Sequence, residues 1–163
     1  MPSNITNKGT GLNTVLYDKS IYDNGFYKRD STSIPGDTLC AAGSDSQSCP
    51  SILSSGQTII SNNGQYKLGM QSDGNLVLYW NNVSQWATGT VGTGANKLVL
   101  QDDNDLVLYG NTDGPIGWTH QWSSGTRGTG ANKLVLQDDG NLVLYVNGPN
   151  GWTSKWASGT MRK

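Results

Sequence analysis

Three stretches of this 163-residue chain place the same side-chain chemistry at every second position. They read Gln71, Asp73, Asn75, Val77, Tyr79, then Gln101, Asp103, Asp105, Val107, Tyr109, then Gln137, Asp139, Asn141, Val143, Tyr145. An ionised Asp only accepts hydrogen bonds, Gln and Asn both donate and accept, and a Tyr hydroxyl does either. That set matches the adjacent hydroxyls of a pyranose, with the small Val available to ring C–H groups. No residue in it is a strong nucleophile or a poised general base, so the pattern points to binding, and no catalytic residue or enzymatic activity is assigned. A polar strand face is ordinarily just solvated. A solvated face drifts among Lys, Glu, Ser and Thr, whereas here one set of types returns at fixed offsets within a single chain.

The elements that must carry these residues are repeated hairpins. The copies run from Gly64 to Thr90, Gly92 to Thr126 and Gly128 to Thr160, and the second and third share GTGANKLVLQDD without a mismatch. In the third, Lys133 to Gln137 reads as a strand, Asp138-Asp139-Gly140 as the turn and Asn141 to Tyr145 as the return strand. Alternation sends Leu134, Leu136, Leu142 and Leu144 to one face and the polar set to the other. The same sorting gives Leu98, Leu100, Leu106 and Leu108 in the second copy, and Leu68, Met70, Leu76 and Leu78 in the first. Each copy closes on a Trp and a small-residue tail: Trp86-Ala-Thr-Gly-Thr, Trp122-Ser-Ser-Gly-Thr and Trp156-Ala-Ser-Gly-Thr. Three leucine faces bury most economically against one another. This predicts three small sheets about one axis, with the indoles of Trp86, Trp122 and Trp156 as its core filling.

QSDGNLVLY and QDDGNLVLY match the Gln-x-Asp-x-Asn-x-Val-x-Tyr signature, so the chain from about Ile52 to Thr160 resembles the bulb-type, monocot mannose-binding (snowdrop-type) lectins. The resemblance implies an all-β, β-prism II fold of three four-stranded antiparallel sheets with pseudo-threefold symmetry. It also implies metal-independent, cofactor-free recognition of mannose or mannose-containing glycans. Carried over, Asp73 and Asn75, like Asp139 and Asn141, would take the axial 2-hydroxyl. Gln71 and Gln137 would take the 3-hydroxyl, Tyr79 and Tyr145 the 4-hydroxyl, with Val77 and Val143 under the ring. The second copy departs from the pattern: Asp105 replaces Asn and Asn104 replaces the turn glycine. Asp105 keeps the shape but loses the amide donor and adds a carboxylate beside Asp103, so this site is expected to be degenerate. Family members often exchange C-terminal strands, which makes the tail after Trp156 a candidate homodimer interface. The alternative reading is a prism-fold interaction protein of bacteriocin-like or taste-active type, acting mainly through protein or cell-surface contacts.

Composition agrees with a turn-rich β protein: 34% apolar, 14% charged and 22 glycines. A net charge of −1 with eleven scattered basic residues offers no footprint for nucleic acid. No apolar run approaches the roughly 20 residues of a membrane span. The opening MPSNITNKGTG lacks the charged and apolar regions of a signal peptide, which leaves a cytoplasmic location, export by a non-classical route, or a processed or engineered form. Residues 1–50 read as an N-terminal extension, with a Tyr-rich hairpin around Asp23-Asn24-Gly25, and residues 51–163 as the lectin domain. Cys40 and Cys49 either close the loop CAAGSDSQSC as a disulfide or remain thiols, and without further partners they are a poor zinc site. Asp102, Asp103 and Asp105 lack the sixth-position glycine and closing Glu of a calcium loop. His120 has no counterpart, since Ser154 aligns with it. Trp118 and Trp152 fit either a pocket rim that stacks on a second sugar or packing across the loop. Asn4-Ile5-Thr6 and Asn82-Val83-Ser84 match the short glycosylation pattern.

Overall fold

Leucines alternating with polar residues on either side of a turn that bears glycine, or Asn104 in the second copy, fold each copy into a hairpin, and a third strand follows the second. The computed structural model describes residues 22–23, 25–41, 49–111 and 117–162. Asn4-Ile5-Thr6, the first residues of the Tyr-rich segment together with Asn24, and most of the loop GNTDGPIG lie outside them. The described chain opens with β1 (Tyr22–Asp23) and β2 (Phe26–Tyr27), which pair with each other. Three short strands follow: β3 (Thr38–Cys40), β4 (Ile52–Ser54) and β5 (Thr58–Ile60). The first copy supplies β6 (Tyr66–Met70), β7 (Leu76–Trp80) and β8 (Val83–Ala87). The second supplies β9 (Ala95–Leu100), β10 (Leu106–Asn111) and β11 (Trp118–Ser123), and the third β12 (Lys133–Leu136), β13 (Leu142–Gly148) and β14 (Gly151–Ala157).

These strands form the three four-stranded antiparallel sheets of a β-prism II, as the resemblance implies. The orders are β5-β6-β7-β8, β4-β9-β10-β11 and β3-β12-β13-β14. Each copy is therefore completed by a strand from the unrepeated segment upstream, taken in reverse: β5 joins the first copy, β4 the second and β3 the third. Thr38–Cys40, within the segment 1–50 read as an extension, is thus the outer strand of the third sheet. The disulfide Cys40–Cys49 lies at its end. Each outer strand also sets one residue opposite a repeat leucine: Ile59 against Leu68, Leu53 against Leu98 and Leu39 against Leu134. All three are fully buried.

The leucine faces meet as expected. The alternating Leu and Met70 side chains of all three copies are at most 1% exposed and form one cluster. The tryptophans complete this core without filling it. Trp86, Trp122 and Trp156 stand edge to face, with centroids 5.5–5.7 Å apart, and are only partly buried against the leucine cluster. A bulge puts them there. Leu108 pairs with Trp122 but Tyr109 with His120, so Gln121 is extra, and the same shift recurs at Gln85 and Lys155. Past the bulge the strand reverses its faces, sending Trp122 to the core and leaving Trp118 and His120 beside Tyr109.

The ring of sheets closes turn to copy. Gly74 abuts Gly94 and Ala95 at the start of the second copy. Asn104 accepts a bond from Gly130 N at the start of the third (3.1 Å). Gly140 lies under the buried ring of Tyr66 at the start of the first, where Asp138 also holds Asn63 through two bonds of 2.7 and 2.8 Å. All three turn residues have positive φ: 92°, 74° and 86°. Asn tolerates that region better than other side-chain-bearing residues, and at position 104 its side chain has a partner. At position 140 any Cβ would run into the Tyr66 ring. Gly140→Asn is therefore expected to cost about 2 kcal/mol or more through overpacking. Asn104→Gly should cost about 1 kcal/mol, the worth of one hydrogen bond. Urea unfolding of the two variants checks the contrast.

Candidate functional site

The hairpin turn is the three-residue loop that the sequence suggests, and the motif Gln and Asn flank it while the motif Asp lies inside it. Gln137 N donates to Asn141 O at 2.9 Å and Gly140 N to Gln137 O at 3.0 Å, so Asp138, Asp139 and Gly140 form a three-residue loop. The same bonds link Gln71 with Asn75 and Gln101 with Asp105. Inside this loop the Asp carboxylate caps the chain two residues on. Asp73 Oδ1 accepts from Asn75 N (2.9 Å), Asp103 from Asp105 N (3.1 Å) and Asp139 from Asn141 N (2.9 Å). Across the strands, the Gln amide donates to the Tyr hydroxyl: Gln71 to Tyr79, Gln101 to Tyr109 and Gln137 to Tyr145, the last two at 2.7 Å. Each copy thus brings its five motif residues to one end of one sheet face.

The Asn at the centre of each complete motif has two duties. Asn141 Oδ1 accepts from Gly159 N (3.1 Å), Thr160 N (3.3 Å) and Ser158 Oγ (3.3 Å). Asn75 Oδ1 accepts from Gly89 N (3.0 Å), Thr90 N (3.2 Å) and Thr88 Oγ1 (3.2 Å). These contacts latch the small-residue tail onto the hairpin, and the final Thr of each tail (Thr90, Thr126 and Thr160) seals the latch by donating to a turn carbonyl at 2.7–2.8 Å. The oxygen is thereby committed to the fold. Nδ2 has no protein partner among the described residues, so one amide donor stands beside one carboxylate.

Asp105 performs the first duty and changes the second. Its Oδ1 accepts from Thr126 N (3.0 Å) and Ser124 Oγ (3.1 Å), the same latch. Its other oxygen is an acceptor where the other copies carry a donor. The neighbouring Asp103 is paired with Arg127 Nε at 3.3 Å, a cation that Val91 and Met161 replace in the other copies. An exposed pair of this kind contributes little to stability, but it does moderate the added charge. An open cavity of about 400 Å³ beside this copy is lined by Val99, Gln101, Tyr109 and Trp118. The second copy therefore keeps the latch and the Gln–Tyr bond and alters the hydrogen-bonding chemistry of the central residue.

Two further features adjust the expected site. Val77, Val107 and Val143 are 4, 2 and 3% exposed. They form a floor beneath the polar residues and offer little open apolar surface. A lysine also joins each site: Lys67, Lys97 and Lys133 pair across the strand with Tyr79, Tyr109 and Tyr145. Lys97 Nζ lies 2.9 Å from the Trp118 ring centroid, and Lys133 Nζ lies 5.2 Å from that of Trp152. Sequence reasoning passed over these lysines, although each immediately precedes the first core leucine of its copy. The latch was equally readable, in the recurring Thr/Ser-Gly-Thr after each Trp. Among the described residues no group of three or more His, Cys, Asp or Glu stands together to hold a metal ion.

No protein-family model matches the chain, and no curated protein matches it. Solved structures do. A monomeric monocot mannose-binding lectin from Gastrodia elata is 36% identical, with 77% of this chain and 99% of that one covered and a TM-score of 0.62. The native mannose-specific bulb lectin of bluebell, Scilla campanulata, is 33% identical over 78% of this chain and all of its own, with a TM-score of 0.58. The mannose-specific agglutinin of snowdrop (Galanthus nivalis) bulbs, complexed with methyl-α-D-mannoside, is 32% identical over 78% and 99%, with a TM-score of 0.54.

The double duty of the central Asn separates its structural role from its binding role. Asn141→Ala removes the latch acceptor and strands the tail amides, with an expected loss of about 1–3 kcal/mol of stability. Asn141→Asp retains Oδ1, as Asp105 does naturally, and should unfold at nearly the wild-type urea midpoint. An equal loss in both variants would refute the latch.

Proposed function

We propose, from the premise that this chain belongs to the bulb-type mannose-binding lectins and is a non-enzymatic carbohydrate-binding protein, that it recognises mannose and mannose-containing glycans through two complete pockets. These are Gln71, Asp73, Asn75, Val77 and Tyr79 in the first copy, and Gln137, Asp139, Asn141, Val143 and Tyr145 in the third. The second set, Gln101, Asp103, Asp105, Val107 and Tyr109, is a degenerate site. The observation that carries this reading is the unused Asn Nδ2 beside an Asp carboxylate at the same place in the first and third copies. A hydroxyl can donate to the carboxylate and accept from the amide at once. In the second copy the same hydroxyl meets two acceptors and satisfies one of them.

The Gln–Tyr bond holds both neighbouring groups at fixed positions before a ligand arrives, which lowers the ordering cost of binding. A shallow polar site of this kind still gives a dissociation constant near millimolar, about −4 kcal/mol. Avidity then comes from engaging several branches of one glycan with two pockets on different faces of the prism.

Isothermal titration with methyl α-mannoside and methyl α-glucoside tests the assignment. Wild type should bind the mannoside at two sites and discriminate against the glucoside. The double variant Asn75→Asp, Asn141→Asp should lose at least about tenfold in affinity while staying folded. Asp105→Asn should add a third site. Undiminished mannoside binding by the double variant would overturn the pocket assignment, and an unchanged stoichiometry in Asp105→Asn would overturn the explanation for the second copy.

A further inference from the structure

At one position just beyond the motif the first copy departs from the other two. Trp118 and Trp152 lie two residues before His120 and Ser154, which pair with the motif tyrosines Tyr109 and Tyr145. In the first copy Tyr79 pairs with Ser84, so the equivalent residue is Asn82. The two tryptophans are 48 and 52% exposed, a large apolar area for strand residues to leave in water. Each is nevertheless held in place. Trp118 stands edge-on to Tyr109 at 5.7 Å and Trp152 to Tyr145 at 6.4 Å, and each packs against its site's lysine. An exposed, oriented indole adjoining the polar motif residues presents one flat face to whatever extends out from them.

The first copy is built to the opposite effect. Its β7–β8 connection is a two-residue turn, Asn81 and Asn82, both with positive φ (49° and 58°), between the paired Trp80 and Val83. The arm therefore ends where the other copies place a tryptophan. Tyr27, delivered by the N-terminal hairpin, occupies the space. Its hydroxyl accepts from Asn82 N (2.9 Å) and donates to Asn82 Oδ1 (3.2 Å), and its ring centroid lies 5.0 Å from Lys67 Nζ. Tyr27 and Lys67 are both only 4% exposed. The aromatic group at this position is packed shut.

We propose that the third copy carries an extended site, with Trp152 as the platform for the sugar adjoining the one held by the motif, while the first copy, closed by Tyr27, holds a single sugar residue. This rests on the mannose reading of the motif pockets. The N-terminal segment thereby becomes a specificity determinant: it makes two chemically identical pockets read glycans of different length.

The test uses the full chain in two backgrounds, Asn75→Asp to isolate the third site and Asn141→Asp to isolate the first. Each is titrated with methyl α-mannoside and with the α-1,2-, α-1,3- and α-1,6-linked mannobioses. The isolated third site should bind at least one mannobiose roughly three- to tenfold tighter than the monosaccharide, the range of one added aromatic contact. Adding Trp152→Ala should remove that gain and leave methyl α-mannoside affinity unchanged. The isolated first site should show no gain, with or without Trp152. A gain that survives Trp152→Ala, an equal loss for both ligands, or no gain at the third site while methyl α-mannoside still binds would overturn the extended site alone. Absence of methyl α-mannoside binding in wild type would overturn the pocket reading and this inference with it.

Discussion

Each repeated hairpin has one face of leucine, and a two- or three-stranded sheet cannot bury such a face by itself. Joining three of them around one axis removes all of that surface from water at once, at about 1.5–3 kcal/mol for each fully buried large side chain. Everything else in the molecule follows from that arrangement. With the leucines facing inward, strand alternation turns the polar motif outward on every sheet. The tryptophan of each third strand must then cross to the inner side, and the bulge beside each motif tyrosine achieves this. The three indoles then meet edge to face, a geometry that adds about 0.5–1.5 kcal/mol per aromatic pair beyond burial.

The tail latch ties the site to this core. Because the Asn oxygen holds the backbone that follows the core tryptophan, the residue that would recognise a ligand is also the one that fastens the third strand to the hairpin turn. This accounts for the survival of a second copy with altered chemistry. Asp supplies the same latch oxygen as Asn, so the exchange leaves the prism intact and changes only the outward atom. The two duties of the position are carried by its two terminal atoms, and only one of those duties tolerates the substitution.

Pseudo-threefold symmetry holds across the buried leucine faces, with Met70 for one leucine, and is broken at the rim. Tyr66 over Gly140 and Asn104 against Gly130 are different solutions to the same contact between a turn and the next copy. Tyr27 replaces an arm tryptophan in one copy only. Both the N-terminal hairpin and the outer strands come from the unrepeated part of the chain, so the segment that completes the sheets also makes the sites unequal.

The repeat, the hairpins, their buried faces and the members of each polar set were all legible in the sequence. They depend on local alternation and turn chemistry, which a linear pattern records. The fourth strand of every sheet was not legible. Thr38–Cys40, Ile52–Ser54 and Thr58–Ile60 are three residues each, too short for a period to show, and their pairing is set by which leucine edge remains open. The faces of the third strands were hidden for a related reason. Trp118, His120 and Trp122 share one face by simple alternation, and the unpaired Gln121 that separates them is defined only against the neighbouring strand. Residue types and spacing thus determined which hydrogen-bonding groups the polar set carries. Tertiary packing decided which atom of the central Asn is left for a ligand and which aromatic stands beside each pocket, because both depend on segments far apart in the chain meeting at one sheet end.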